Sequence, residues 1–372
     1  MSVIGFVSTH QPTLCGLATF SASLYAELVT SSASQGRVVR VVDTPQPRPS
    51  NDVVAELVAG DPASRARSVA ALAACDVVIL QHEFGIYGGT DGDEVVPFLA
   101  TLDAPAIVVL HTVLSAPTAH QKQVLEEVAR LAHVVVVMTG TARTRLADGY
   151  AVDMHKVRLI PHGAPAVPPT VAATFRSIEP TILTWGLIGP GKGIEWGVEA
   201  MGLLRGETPL PQYVVAGQTH PKVLAHEGES YRQSLTDRVH ELRLSHCVTL
   251  DNHYRHAEAL AGLVSTADVV LLPYDSTDQV TSGVLIEALA AGKPVVATRF
   301  PHAVELLEDG GGILVPHKDP AAMADALHEA LARRIPARRQ TPRTVAPPLL
   351  WPAVADRYRD VISQVKAARS AA

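Results

Sequence analysis

Short apolar runs recur along the chain, separated by stretches in which apolar residues return at helical spacing. In the first half the runs are Val3 to Ser8, Val38 to Val42, Asp76 to Gln81, Ala106 to Leu110, His133 to Met138 and Val157 to Ile160. In the second they are Thr181 to Trp185, Tyr213 to Ala216, Val248 to Leu250, Ala267 to Pro273, Val295 to Thr298 and Gly310 to Val315. Runs of this length, rich in Val and Ile and bounded by Gly, Pro and polar residues, read as strands buried on both faces. Helices are expected between them, among them Ser21 to Val29, Asp61 to Ala74, Pro117 to Ala132, a stretch from about Ile194, Pro221 to Leu242 and Ala321 to Leu331. Strand–helix alternation in both halves predicts two doubly wound α/β domains facing each other across a cleft. Proline-rich Ala164 to Pro180 reads as a linker between domains at 1–163 and 181–350. Residues 351–372 read as a closing helix, and Arg338 to Pro348, rich in Pro and Arg, as a surface excursion.

Composition narrows the classes. At 372 residues and 47% hydrophobic, the chain exceeds one ordinary core. A net charge of −6, with no basic run, argues against a nucleic-acid partner. Cys15, Cys75 and Cys247 are odd in number and far apart, which suggests neither a disulfide framework nor a zinc site. A reduced, cytoplasmic setting is expected. Met1 to Thr13 does not read as a signal peptide, and no apolar stretch nears the ~20 residues of a membrane span. Contact with a membrane surface stays open.

Candidate chemistry gathers at strand ends, where open parallel sheets bind ligands. His82 and Glu83 follow one strand of the first half, His111 the next, and His162 the last. Gly16 lies in the loop after the first strand, where glycine lets backbone approach a ligand. In the second half GLIGPGKG (186–193) surrounds Lys192 with glycines. It is no P-loop, because no Ser or Thr follows the lysine, but a flexible loop with one cation suits a diphosphate. Gly217 ends the next strand. The chain is organised around TSGVLIEALAAGKPVVAT (281–298). Ser282 is a favoured N-cap, Val284 to Ala291 an apolar helix, and Gly292 its terminator. Backbone N–H groups at Gly283, Val284 and Leu285 face a negative ligand, since helix N-termini attract phosphate. Glu287 then either holds a ribose diol or sits at the helix rim, in water or paired with Lys293. No metal site is suggested, since H-E-x-x-H is missing and no third ligand stands at helical spacing from the histidines.

This stretch resembles the nucleotide-sugar motif of family 4 glycosyltransferases, which have the GT-B fold and retain anomeric configuration. In that family two glutamates eight positions apart precede a small-residue helix and Gly-Lys-Pro-Val-Val. Glu287 matches the second glutamate, which holds the ribose; Gln279 stands in place of the first, which meets the sugar. Gly186, Lys192 and Gly193 match the diphosphate loop, with Leu187 in place of its Arg; Arg255 and Arg299 are candidates to supply that charge. The resemblance covers nearly the whole chain. It implies His111 near the transferred sugar, with His82, Glu83 and His162 lining the acceptor or sugar cleft. It implies Lys192 on the diphosphate, and Gly16, Gly186, Gly217, Gln279, Ser282, Gly283, Val284 and Leu285 around the donor. The closing helix is expected to cross back to the first domain. The implied reaction is metal-free hexosyl transfer, without a cofactor, from a nucleotide-diphosphate sugar such as GDP-mannose or UDP-glucose. The acceptor is a hydroxyl of a glycan, lipid or small molecule. Leu187 and Gln279 keep open a non-catalytic nucleotide-sugar-binding protein, and the shared fold keeps open a nucleotide-sugar 2-epimerase.

Overall fold

The computed structural model describes residues 2–32, 34–47, 51–166, 179–337 and 347–371. Most of the expected linker (167–178) and of the expected surface excursion (338–346) lies outside the described residues. The chain divides into two compact units, one of Met1–His162 with Trp351–Ala372, the other of Gly163–Leu350.

The first unit is built on β1 (Val3–Ser8), β2 (Gln35–Val42), β3 (Val53–Val58), β4 (Val77–His82), β5 (Ala106–Leu110), β6 (Val134–Val137) and β7 (Val157–Leu159). They form one parallel sheet in the order β3-β2-β1-β4-β5-β6-β7. The apolar runs become strands because both faces are covered, and β4, β5 and β6 are buried at every residue. One strand has no counterpart in the sequence reading. β3 carries Glu56, which breaks its apolar run, and Glu56 is there for Arg40. Arg40 lies opposite it on β2 and is fully buried, so its guanidinium needs that carboxylate. The closing helix, Trp351–Ala371, packs Trp351, Val354 and Tyr358 into the same core as Phe20 and Leu24.

The second unit holds β8 (Thr181–Trp185), β9 (Gln212–Ala216), β10 (Val248–Asp251), β11 (Val269–Leu272), β12 (Val295–Thr298) and β13 (Ile313–Val315). Their parallel order is β10-β9-β8-β11-β12-β13, the doubly wound nucleotide-binding order. The stretch read as one polar helix from Pro221 is two, Pro221–Glu227 and Ser230–Glu241, because Gly228 breaks the backbone at φ 64°. Among the described residues no helix is long and apolar enough to cross a membrane.

Candidate functional site

In the second sheet the strand order reverses between β8 and β11, and ligands of such sheets bind outside the carboxyl ends at that point. The chain leaves β8 through Gly186 into the glycine loop, and leaves β11 through Pro273 and Tyr274. Trp185, Gly186, Leu187, Lys192 and Tyr274 help line a small recess. Backbone is packed here too closely for side chains. A Cβ on Gly217 would fall 1.8 Å from the Gly186 carbonyl oxygen, and one on Gly193 would fall 1.9 Å from that of Pro273. Glycine at 217 therefore lets the turn after β9 lie on the turn after β8. A Cβ on Gly186 would meet Val284 at 3.7 Å, so the start of the helix Gly283–Ala290 borders the same turn. Gly186, Lys192, Gly217, Ser282, Gly283, Val284 and Glu287 are thus brought together by the ends of three strands and one helix.

Lys192 extends its ammonium over the Tyr274 ring, 4.3 Å from the centroid, and has no ion pair among the described residues. Glu287 accepts a hydrogen bond from Trp185 Nε1–H at 3.2 Å, its one side-chain partner among the described residues. Burial pushes its carboxyl above the ordinary range, and the bond from Trp185 acts the other way. Glu287 does not pair with Lys293. That ammonium donates to the carbonyls of Ser265 (2.7 Å) and Ala267 (2.8 Å), where the helix Ala257–Thr266 ends. A carboxylate has room for about four hydrogen bonds, so Glu287 is an acceptor with capacity left.

The helix start corrects one expectation. Ser282 Oγ accepts the Leu285 N–H at 3.2 Å, so that amide is committed to the cap and does not face a ligand. Gly283 and Val284, at the first two helical positions, keep their N–H groups, as helix geometry requires. Ser282 N–H in turn donates to His302 Nδ1 at 2.8 Å, and His302 is buried. Gln279 is held inside its own loop, its Nε2–H₂ donating to the Thr281 carbonyl at 3.1 Å. The two arginines suggested as substitutes for the missing one are engaged elsewhere, Arg255 with Asp251 and Arg299 with Glu308.

Sequence reasoning missed four residues here: Tyr274, His302, His220 and Arg232. His220 follows the turn after β9 and donates its backbone N–H to the Ile188 carbonyl in the glycine loop (2.7 Å). Its Nδ1 accepts from Lys222 N–H at 3.2 Å, which leaves the proton of the neutral ring on Nε2. Burial, then the charges of Lys192 and Lys222, push its pKa down. Arg232 holds the turn from behind by donating to the Gly217 carbonyl at 2.5 Å and to Thr219 Oγ1 at 3.4 Å. The one signal for His220 in the sequence was its place two residues beyond a strand-end pair, Gly217-Gln218; Arg232 gave none.

Gly16, His82, Glu83, His111 and His162 belong to the first unit. Gly16 is exposed at the start of the helix Gly16–Tyr25, and a Cβ there would meet nothing. His111 and His162 come together on Phe20, each ring centroid 5.0 Å from that of Phe20. His111 Nε2 lies 2.7 Å from Gln81 Oε1, so it donates there and Nδ1 bears the lone pair. Burial, with the charges of His162 and His82 adding to it, lowers its pKa to about 3. Glu83 accepts from Phe84 N–H (3.1 Å) and from Thr112 Oγ1–H. His82 corrects a second expectation. It does not line an accessible cleft: side chains alternate across a strand, and 82 falls on the opposite face from 81. Its ring is buried against Phe84, neither nitrogen has a partner among the described residues, and burial lowers its pKa to about 4.

Comparison with known proteins bears on the same region. Residues 179–333 match the family model for "Glycosyl transferases group 1". A D-inositol 3-phosphate glycosyltransferase of Corynebacterium jeikeium is 30% identical over 220 residues, 54% of this chain and 50% of the relative. One of Kineococcus radiotolerans is 32% identical over 243 residues, 59% of this chain and 52% of the relative. The chain spans about half the length of these curated relatives. In structure, a sucrose-phosphate synthase from Thermosynechococcus elongatus superposes with a TM-score of 0.77 at 20% identity, covering 99% of this chain and 100% of the other. The chain thus resembles family 4 glycosyltransferases in sequence and has the GT-B fold of two Rossmann-like domains.

Proposed function

We propose that the chain is a retaining glycosyltransferase that moves a hexose from a nucleotide-diphosphate sugar to a hydroxyl acceptor without a metal. One observation carries the reading. Lys192, the free N–H groups of Gly283 and Val284, and the under-used carboxylate of Glu287 converge at the switch point of the second sheet. A cation and amides suit a diphosphate, and a carboxylate with spare lone pairs suits a ribose diol. The match to the glycosyltransferase family falls on this same stretch.

In this reading the bond from the anomeric carbon to the β-phosphate oxygen breaks as the acceptor oxygen forms its bond on the same face. The acceptor proton passes to the leaving phosphate oxygen. Positive charge grows on the sugar ring and negative charge on the diphosphate. Lys192 and the two amides meet the second, fixed in place before the reaction. Glu287 fixes the ribose. In the first unit His111, kept neutral, has Nδ1 available to accept from a hydroxyl. Gln279 and its loop meet the hexose, for which mannose or glucose is the working choice.

The test is a panel of UDP-, GDP- and ADP-hexoses with mixed hydroxyl acceptors, scored for nucleoside diphosphate release and, by NMR, for the anomer formed. Release with a retained anomer, unchanged by EDTA, is expected. Nucleotide binding without release from any donor contradicts the reading and favours a binding protein, for which Leu187 and Gln279 already speak. A hexose epimerised at C2 contradicts it in favour of an isomerase.

A further inference from the structure

The site has one cation fewer than the family pattern, since Leu187 stands where an Arg is expected. What remains must be well placed. A lysine has four rotatable carbons and a point charge, and loses much freedom when fixed. A neighbouring carboxylate would fix it but would also neutralise the charge that a diphosphate needs. Lys192 has no such neighbour among the described residues; its ammonium rests on the face of Tyr274. An aromatic face attracts a cation through its quadrupole and leaves the charge unpaired.

The Tyr274 ring is itself immobile. It is 1% exposed and stacks on Phe300 with centroids 5.1 Å apart and planes at 29°. Its backbone carbonyl accepts Thr298 Oγ1–H at 2.6 Å and lies 2.8 Å from His317 Nδ1. Its hydroxyl is buried and has no partner among the described residues. The hydroxyl therefore does not hold the ring, and the face is what the side chain offers. The residue lies two positions beyond β11, after Pro273, and lines the switch-point recess.

We propose that Tyr274 is a positioning residue for the donor diphosphate, holding the Lys192 ammonium on its ring face before and after the diphosphate meets that ammonium's outer side. The inference rests on Lys192 being the diphosphate lysine. A double-mutant cycle tests it, with UDP and GDP as calorimetric probes of the full chain. Lys192→Met is expected to weaken binding at least about tenfold. Tyr274→Leu should cost roughly three- to tenfold, and Tyr274→Phe should restore most of that loss. Added to Lys192→Met, Tyr274→Leu should cost nothing more, because the face then has no cation to hold. An undiminished loss in that background, or a Phe variant as weak as the Leu variant, would overturn the positioning role and leave the diphosphate reading standing. Unchanged binding in Lys192→Met would overturn both. Should Tyr274→Leu fail to fold, mono- to trifluorinated phenylalanine at 274 weakens the ring face at nearly constant shape. Affinity should then fall stepwise with fluorination, and a flat series would contradict the proposal.

Discussion

The two sheets are wound alike, yet their switch points are furnished oppositely. Between β1 and β4 the polar groups are turned inward: Ser8 Oγ, Gln81 Nε2 and both His82 nitrogens are buried without partners among the described residues. The two histidines that begin and follow this edge, His82 and His111, are held neutral by burial. Between β8 and β11 the backbone is pared to glycine, a lysine has no ion pair among the described residues, and a carboxylate has lone pairs to spare. Winding alone places a ligand at either point. Which one can hold a diphosphate is decided by side chains and by close backbone approach, so function is read from the site and not from the fold.

Substitutions can break or sharpen this contrast. The largest effect is expected from Lys192→Ala, which should cut hexosyl transfer by about 10²–10³-fold, the loss typical of a preorganised donor to a developing charge. Its melting temperature should stay near that of the wild type, because one aromatic contact is lost. A normal rate with a lowered melting temperature would reverse the assignment. Gly217→Ala should cost about 3 kcal/mol in chemical denaturation, since the new methyl would lie on the Gly186 carbonyl. Gly16→Ala at the first unit's edge, where a Cβ meets open space, should stay within about 0.5 kcal/mol.

Acid should separate the two edges as well. His82 titrates near the ordinary histidine value of about 6.5 when unfolded and at about 4 when folded. The unfolded chain therefore takes the proton first. Stability is full above about pH 6.5 and is lost as pH falls toward 4, by an amount on the order of a few kcal/mol. His111, lowered to about 3, adds in the same direction. Denaturant melts of His82→Leu between pH 4 and 7 should show a shallower decline than wild type; identical slopes would mean that the ring is not buried as described. Glu287 gives a more local effect. Its folded pKa is raised, so its charged form, the better hydrogen-bond acceptor, is lost as pH falls through that raised value. Nucleoside diphosphate affinity should therefore fall more steeply on acidification in the wild type than in Glu287→Gln, which should be roughly threefold to tenfold weaker where the wild-type carboxylate is charged.

Most of the architecture was legible from periodicity, because strands buried on both faces write themselves as continuous apolar runs. The exception, β3, hid behind Glu56, whose reason for being there is a buried arginine on the next strand. The outline of the second site was legible too, since glycine, lysine and an N-cap serine announce backbone geometry. Its finer chemistry was not. That Leu285 N–H is spent on Ser282, that Trp185 reaches Glu287, and that Tyr274 lies beneath Lys192 depend on side chains separated by up to 102 positions. His82 illustrates the reverse error. A histidine at a strand end looks functional by position, while the alternation of faces along the strand turns it into the core.

Hydrogen–deuterium exchange with saturating UDP, GDP or ADP tests the contrast between the two edges most directly. Nucleoside diphosphate should slow exchange at 186–193, 217–219 and 281–287, the segments that meet at the switch point of β8 and β11. Segments 8–16 and 81–86 at the first sheet's edge should exchange as before. Protection confined to the first sheet's edge, or protection at neither with all three nucleotides, would contradict a donor site in the second domain.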